Sequence, residues 1–362
     1  MIFPFMTIFV VWTVRLQLLV LRGCSVKSER QRRANKPAMS PINTTSFLNA
    51  TIVHPAFFII SGFSGIPNTK YYYVFLCFIY IVSILGNTFV MFMIYTDHCL
   101  HSPKYIAVFN LAVTDLCVST ALVPPLIDTF LFKSQLISYE ACLTNMFFIF
   151  LFLFMQSFSL TVLSYDRCVA ICFPLRYNEI ITNKSMLVIT TILWIIAGLG
   201  ILIPVIFINR LSFCKSTVIN SFFCDHGPTS RLACNDYTPS FVMGATQPAL
   251  FFWLPLLFIT GTYICIARAL LKIASASERL KAMKTCTSHL ILVGVYYFPI
   301  CIIYGAIGFI VHHNVRIINA SLAMVLPPML NPIIYSLKTE EFTESIKKQY
   351  RRKKIHLTVF NK

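Results

Sequence analysis

Seven apolar runs succeed one another along the chain, at roughly 71–95, 104–128, 140–172, 185–208, 239–270, 283–310 and 315–337. Each supplies the roughly 20 residues needed to cross the hydrocarbon core of a bilayer. In hydrocarbon every backbone N–H and C=O must be satisfied within its own segment, so all of these runs are read as helices. Several contain proline, among them Pro204, Pro255, Pro299, Pro327 and Pro332. A proline removes a backbone donor and kinks the helix, which a bundle tolerates where neighbours re-satisfy the freed carbonyl. The expected fold is an all-α membrane protein, a seven-transmembrane helix bundle. Composition agrees: 57% of the 362 residues are hydrophobic and 12% charged, against about a quarter charged in soluble domains.

A net charge of +17 invites a nucleic-acid reading, but the basic residues sit in short segments between apolar runs. That pattern follows the preference of Lys and Arg for the cytoplasmic side. One set of connections and the C-terminal tail carry Lys104, Arg167, Arg176, Lys184, Arg268, Lys272, Arg279, Lys281, Lys284, Lys338 and the run from Lys347 to Lys354. The other set carries only Lys133, Arg210, Lys215, Arg231 and Arg316, with Lys70 at the entrance. The bias predicts an extracellular N-terminus and a cytoplasmic C-terminus. Asn43-Thr44-Thr45 and Asn49-Ala50-Thr51 fit this orientation as glycosylation acceptors. Asn183-Lys184-Ser185 also fits the triplet but lies inside. The lipid bilayer is therefore a partner and nucleic acid is not. No phosphate loop, Cys-x-x-Cys pair or His-Glu-x-x-His motif calls for a cofactor or metal.

Residues 1–38, apolar and then strongly basic, are read as an N-terminal extension absent from or unimportant to the mature protein, with Met39 as an alternative start. Residues 39–70 form the extracellular N-terminus, 71–338 the seven-helix domain and 339–362 a cytoplasmic tail. In that tail Phe342, Ile346 and Tyr350 recur at four-residue spacing with acids early and bases late. This predicts a short amphipathic helix on the inner membrane surface.

Charges inside such a bundle need a reason. Asp115 lies in mid-span, so it must face the interior with polar partners, and Asn87 and Asn331 are the natural donors. Asp166 and Arg167 stand at the cytoplasmic end of the third helix. Cys214, Cys224 and Cys234 recur at ten-residue intervals in one outer loop, and Cys142 opens the third helix. Four cysteines in an oxidising compartment leave three connectivities open.

Taken in order, several segments carry a family signature. They are GN at 86–87, LHSPKY at 100–105, LAVTDL at 111–116, LSYDRCVAICFPLRY at 163–177, KAMKTCTSHL at 281–290 and PPMLNPIIYSLK at 327–338. The chain resembles the rhodopsin-like G-protein-coupled receptors, and within them the odorant receptors, over roughly residues 55–350. FFCDH at 222–226 and YYFP at 296–299 resemble the class I, fish-like branch.

The resemblance implies a receptor, not an enzyme, that binds a small odorant between its helices and activates a heterotrimeric G protein of the stimulatory olfactory type. It implies that Arg167 is held by Asp166 at rest and released when the sixth helix swings outward. Tyr263 and Tyr335 would turn inward to meet it, and Asn331-Pro332 would belong to the switch. The sixth helix begins with Lys281 and Lys284 rather than an acid. Thr285, Thr287 or His289 would then have to hold it, and detectable basal signalling is expected. The resemblance further implies disulfides Cys142–Cys224 and Cys214–Cys234.

By family comparison the pocket draws on Ile149, Phe150, Leu153 and Phe154 of the third helix, and on Gln247 and Phe251 of the fifth. Tyr297, Ile300, Cys301 and Tyr304 of the sixth and Ser321 and Met324 of the seventh complete it, with Asp225 and His226 as a lid. Where acid-binding relatives carry an arginine, this chain has Gly308, so a neutral or weakly polar ligand is expected unless His312, His313 or Arg316 reaches in. Two other functions fit the same topology: a receptor of this fold sensing a metabolite outside olfactory tissue, and a polytopic transporter. The transporter would show repeated halves, and none is visible.

Overall fold

The structure, a computed structural model, describes residues 52–63, 68–132, 135–273, 275–304, 313–338, 341–349 and 351. The extension 1–38, Asn43, Asn49, Gly308, His312 and Tyr350 lie outside the described residues, as do the side chains of Lys281, Thr285, Tyr304 and His313. Seven long helices form the bundle: α1 (Thr69–Thr96), α2 (Pro103–Phe132), α3 (Tyr139–Cys172), α4 (Asn183–Asn209), α5 (Thr238–Leu271), α6 (Ala276–Tyr304) and α7 (His313–Lys338). All are long and apolar enough to cross a membrane. The sixth begins several residues earlier than the apolar run because hydropathy marks only the part in hydrocarbon. Its first turns carry Glu278 and Arg279, and Ser275 accepts from the Glu278 backbone N–H at 3.5 Å.

Helices α2 and α3 are buried nearly throughout, whereas α1 and α4 turn Phe78, Leu85, Ile195 and Leu199 outward. A contiguous apolar exterior of that kind needs hydrocarbon around it. The prolines explain much of the interior. Each frees the carbonyl four residues before it, and four of these carbonyls are met by a side chain from another helix. Asn145 Nδ2 donates to Ala121 O, freed by Pro125, at 3.1 Å. Gln247 Nε2 donates to Gly200 O, freed by Pro204, at 2.9 Å. Ser157 Oγ donates to Phe251 O, freed by Pro255, at 2.7 Å. Asn87 Nδ2 donates to Pro328 O, freed by Pro332, at 2.8 Å. This last bond needs α1 and α7 to touch at Gly86, where a Cβ would fall 2.7 Å from the Pro332 ring.

One end of the bundle carries a three-stranded sheet in the order β2-β1-β3. Strand β1 (Phe57–Ile60) pairs antiparallel with β2 (Leu136–Ser138) and parallel with β3 (Val218–Ile219). The segment preceding α1 is thus woven into the two connections on that end. Its apolar side is anchored by Phe58, fully buried against Phe213 at a ring separation of 5.2 Å.

The other end carries helix α8, residues 341–349. Its buried Phe342 lies edge-on to Phe89 of α1. Ser345 donates to Asp97 in the α1–α2 connection, and Gln349 Nε2 donates to Thr96 at 2.7 Å. Lys104 pairs with Glu341 at 2.6 Å. The amphipathic face expected of this segment packs on the bundle itself, with Ile346 half-buried beside it.

Candidate functional site

A cavity of about 570 Å³ opens toward the sheet end, within the range of small-molecule pockets. Its floor is apolar: Phe150, Leu153 and Phe154 of α3, Phe252 of α5, Ile300 of α6 and Met324 of α7. The widened turn Ala249–Trp253, between Pro248 and Pro255, directs Phe251 and Phe252 inward. Phe251 does not reach the wall. It stacks flat on Phe154, with ring centres 4.1 Å apart, and backs the floor from behind. Gln247 does line the cavity, but its Nε2 donates to the Gly200 carbonyl.

Other expected wall residues have different surroundings. Ile149 is fully buried in the core, Tyr297 is hydrogen-bonded to Ser157 at 2.7 Å, and Ser321 meets Tyr72 at 2.5 Å. Cys301 is half-buried on α6 outside the wall. Phe222, Phe223 and Phe252, missed from sequence, do line the cavity. Only the aromatic character of Phe222 and Phe223 in an otherwise polar loop hints at it.

The lid is the connection between α4 and α5. Cys224 is bonded to Cys142 at the head of α3, and Cys214 to Cys234 within the connection. Directly after Cys224, Asp225 precedes a short helix, His226–Ser230, and both Asp225 and His226 face the cavity. Burial raises the Asp225 carboxyl to about 6, opposed by the charge of Arg316, by the backbone amides of Gly227 and His226, and by Arg231. Both arginines also line the cavity mouth. Burial lowers His226 to about 4. Its ring meets Ser240 at 3.2 Å and leaves no room for a side chain at Gly244, where a Cβ would fall 2.4 Å from Nδ1.

Midway along the bundle, Asp115 is fully buried and accepts from Gln156 Nε2 at 2.7 Å and Asn331 Nδ2 at 2.8 Å. The partner from α7 is one expected from the sequence. Asn87 instead holds the proline-freed carbonyl of Pro328, and Gln156 of α3 takes its place at the carboxylate.

At the α8 end, Asp166 is fully buried and lies 3.7 Å from Arg167 Nε. Its other oxygen accepts from the Tyr177 hydroxyl at 2.8 Å. Burial, with the carboxylate and the hydrogen bond it accepts, holds the Tyr177 phenol above its usual range. Among the described residues, three polar contacts at successive turns of α3 fasten α6 to it. Tyr296 donates to Leu153 O at 2.6 Å, Tyr297 pairs with Ser157 at 2.7 Å, and His289 Nε2 lies 3.0 Å from Leu160 O. A carbonyl can only accept, so Nε2 carries the proton, and Nδ1 lies 2.7 Å from the Tyr263 hydroxyl. One imidazole therefore joins α3, α5 and α6. Tyr335 differs: its hydroxyl is buried and has no hydrogen-bond partner among the described residues.

Comparison with known proteins gives a consistent result. A family model described as "Olfactory receptor" matches residues 76–353. The chain is similar to "Olfactory receptor 51F2" of Homo sapiens, 36% identical over 307 residues, covering 83% of this chain and 89% of that one. It is similar to "Olfactory receptor 52N1" of Homo sapiens, 35% identical over 311 residues, covering 83% and 95%. The squid rhodopsin crystal structure superposes with a TM-score of 0.61 at 20% identity, covering 84% of this chain and 91% of that one.

Proposed function

The chain belongs to the olfactory receptor family, and from that premise we propose that it is an odorant receptor whose ligand, seated in the sheet-end cavity, frees Arg167 at the α8 end to engage a stimulatory G protein. The sheet end faces outside and the α8 end faces the cytoplasm, in line with the distribution of Lys and Arg. The FFCDH and YYFP segments favour the class I branch. The sequence shows no repeated halves of the kind a transporter would carry.

The observation that carries the switching reading is the contact of His289 with Leu160 and Tyr263. It is a neutral lock, and no acid of α6 pairs with Arg167 among the described residues. Leaving the Tyr335 hydroxyl unsatisfied costs about 1–3 kcal/mol, which an inward turn toward a freed Arg167 would recover. A resting state held by neutral contacts and carrying such an orphan lies only a few kcal/mol below the active one. Basal signalling follows.

The ligand is small and mostly apolar, with one neutral hydrogen-bonding group. An apolar floor supports this reading, and the guanidinium groups of Arg231 and Arg316 act on Asp225, so the mouth already holds its own counter-charge. Cyclic-AMP readout in cells expressing residues 39–362, screened against neutral, acidic and basic odorants, tests both parts. Neutral compounds should dominate the responses, and Arg167→Ala should abolish every response at unchanged surface level. A response that survives the substitution defeats the coupling reading, and a panel in which only carboxylates act defeats the ligand reading.

A further inference from the structure

Near the α8 end, α3 carries two cysteines four residues apart, Cys168 and Cys172, whose sulfurs lie 4.0 Å from each other. Residues at this spacing share one helix face. Both side chains are half-buried rather than sealed in the core. Other thiols stand around the pair: Cys265 of α5 is near enough for its charge to act on Cys168, and Cys286 of α6 is near enough to feel Cys172. Yet no three metal-binding side chains among the described residues converge on one point. A structural zinc site, which needs four ligands, is therefore not built here.

We propose that Cys168 and Cys172 form a two-sulfur site for a soft monovalent cation, copper(I) being the species it fits. Thiolates select such ions over harder ones. Taking the zinc–thiolate length of roughly 2.3 Å as the scale of a metal–sulfur bond, two collinear bonds span about 4.6 Å, so the sulfurs, 4.0 Å apart, must part by only about half an ångström, which rotation about the two Cα–Cβ bonds supplies. Binding is a ligand exchange without redox change: two thiols lose two protons, two metal–sulfur bonds form, and the bis-thiolate complex of a monovalent ion carries one negative charge. That charge would sit beside Arg167, whose present partner is Asp166. The site itself requires only the helix and its two thiols, and does not depend on the signalling reading.

The test uses the detergent-purified full chain, titrated anaerobically with copper(I) against a competing colorimetric chelator. Cys168→Ser and Cys172→Ser should each lose the same bound equivalent, and the double variant should lose no more, whereas Cys265→Ser and Cys286→Ser should keep it. X-ray absorption of the loaded parent protein should report two sulfur neighbours. Unchanged stoichiometry and affinity in both α3 variants would overturn the site, and so would loss of the equivalent in Cys265→Ser or a third sulfur in the absorption spectrum. The absorption measurement is made on the parent chain and stands even where a variant folds poorly.

Discussion

His289 touches Leu160 of α3 and Tyr263 of α5 from its own position on α6, so removing it loosens three helices with one change. The interaction is worth about 1–3 kcal/mol once the orphaned partners are counted. His289→Ala should therefore raise ligand-free cyclic AMP about tenfold at matched surface expression, since 1.4 kcal/mol is a factor of ten in an equilibrium constant. Unchanged or lower basal output would remove His289 from the lock. A second histidine gives a pH test at the other end. The unfolded chain takes up a proton at His226 near 6.5 and the folded chain only near 4. Between those values the unfolded state holds the extra proton, and this contribution to stability is lost as pH falls. Asp225 acts oppositely: folded, it keeps its proton up to about 6 against 3.8 unfolded, so the fold gains as pH falls through that window. In His226→Gln only the second effect remains. Thermal melting of purified protein should find the variant's deficit relative to its parent shrinking between pH 6.5 and 4, and a constant deficit would refute the assignment.

At the scale of elements, the seven helices were legible because hydrocarbon imposes a length and an apolar content that hydropathy reads directly. The need for partners at proline-freed carbonyls was equally legible, but not their identity, since Asn145 and Ala121 are joined only by the packing of α2 on α3. The same limit divided the cavity. Family comparison gives the face of α3 that points inward, and Phe150, Leu153 and Phe154 do meet the void while Ile149 meets packed neighbours. Which residue of a face borders empty space is set by the opposing helices. The sheet left still less trace, because β1 draws its partners from two distant connections. Its role can be tested. Ile59 N donates to Thr217 O at 2.8 Å, tying the N-terminal strand to the connection that carries Asp225 and His226. Ile59→Pro deletes that donor and should weaken ligand potency about tenfold, the effect of roughly one to two kcal/mol. Basal output should not move, because the α8-end contacts are untouched, and an unshifted dose curve would detach the strand from the lid.

Across the whole molecule, the three α6–α3 contacts are not equivalent, because they lie at different distances from the two ends. Leu153 borders the cavity while its carbonyl holds Tyr296, Ser157 lies one turn further with Tyr297, and Leu160 lies toward Arg167 with His289. A helix that swings outward at the α8 end and stays put at the sheet end must break the His289 contact and turn about the tyrosines. The two kinds of contact should then fail in different ways. Tyr297→Phe removes one hydroxyl while Ser157 keeps its bond to the Phe251 carbonyl, so the loss is confined to the α3–α6 contact and amounts to about 1 kcal/mol. With the pivot loosened, a ligand should still bind, shifting its half-maximal concentration by no more than about fivefold, but its maximal cyclic-AMP response should fall and basal output should not rise. If α6 were instead a single rigid lock, Tyr297→Phe and His289→Ala would raise basal output alike. The pair of variants, measured with the most potent compound of the odorant panel and combined in a double-mutant cycle, separates a hinge from a latch.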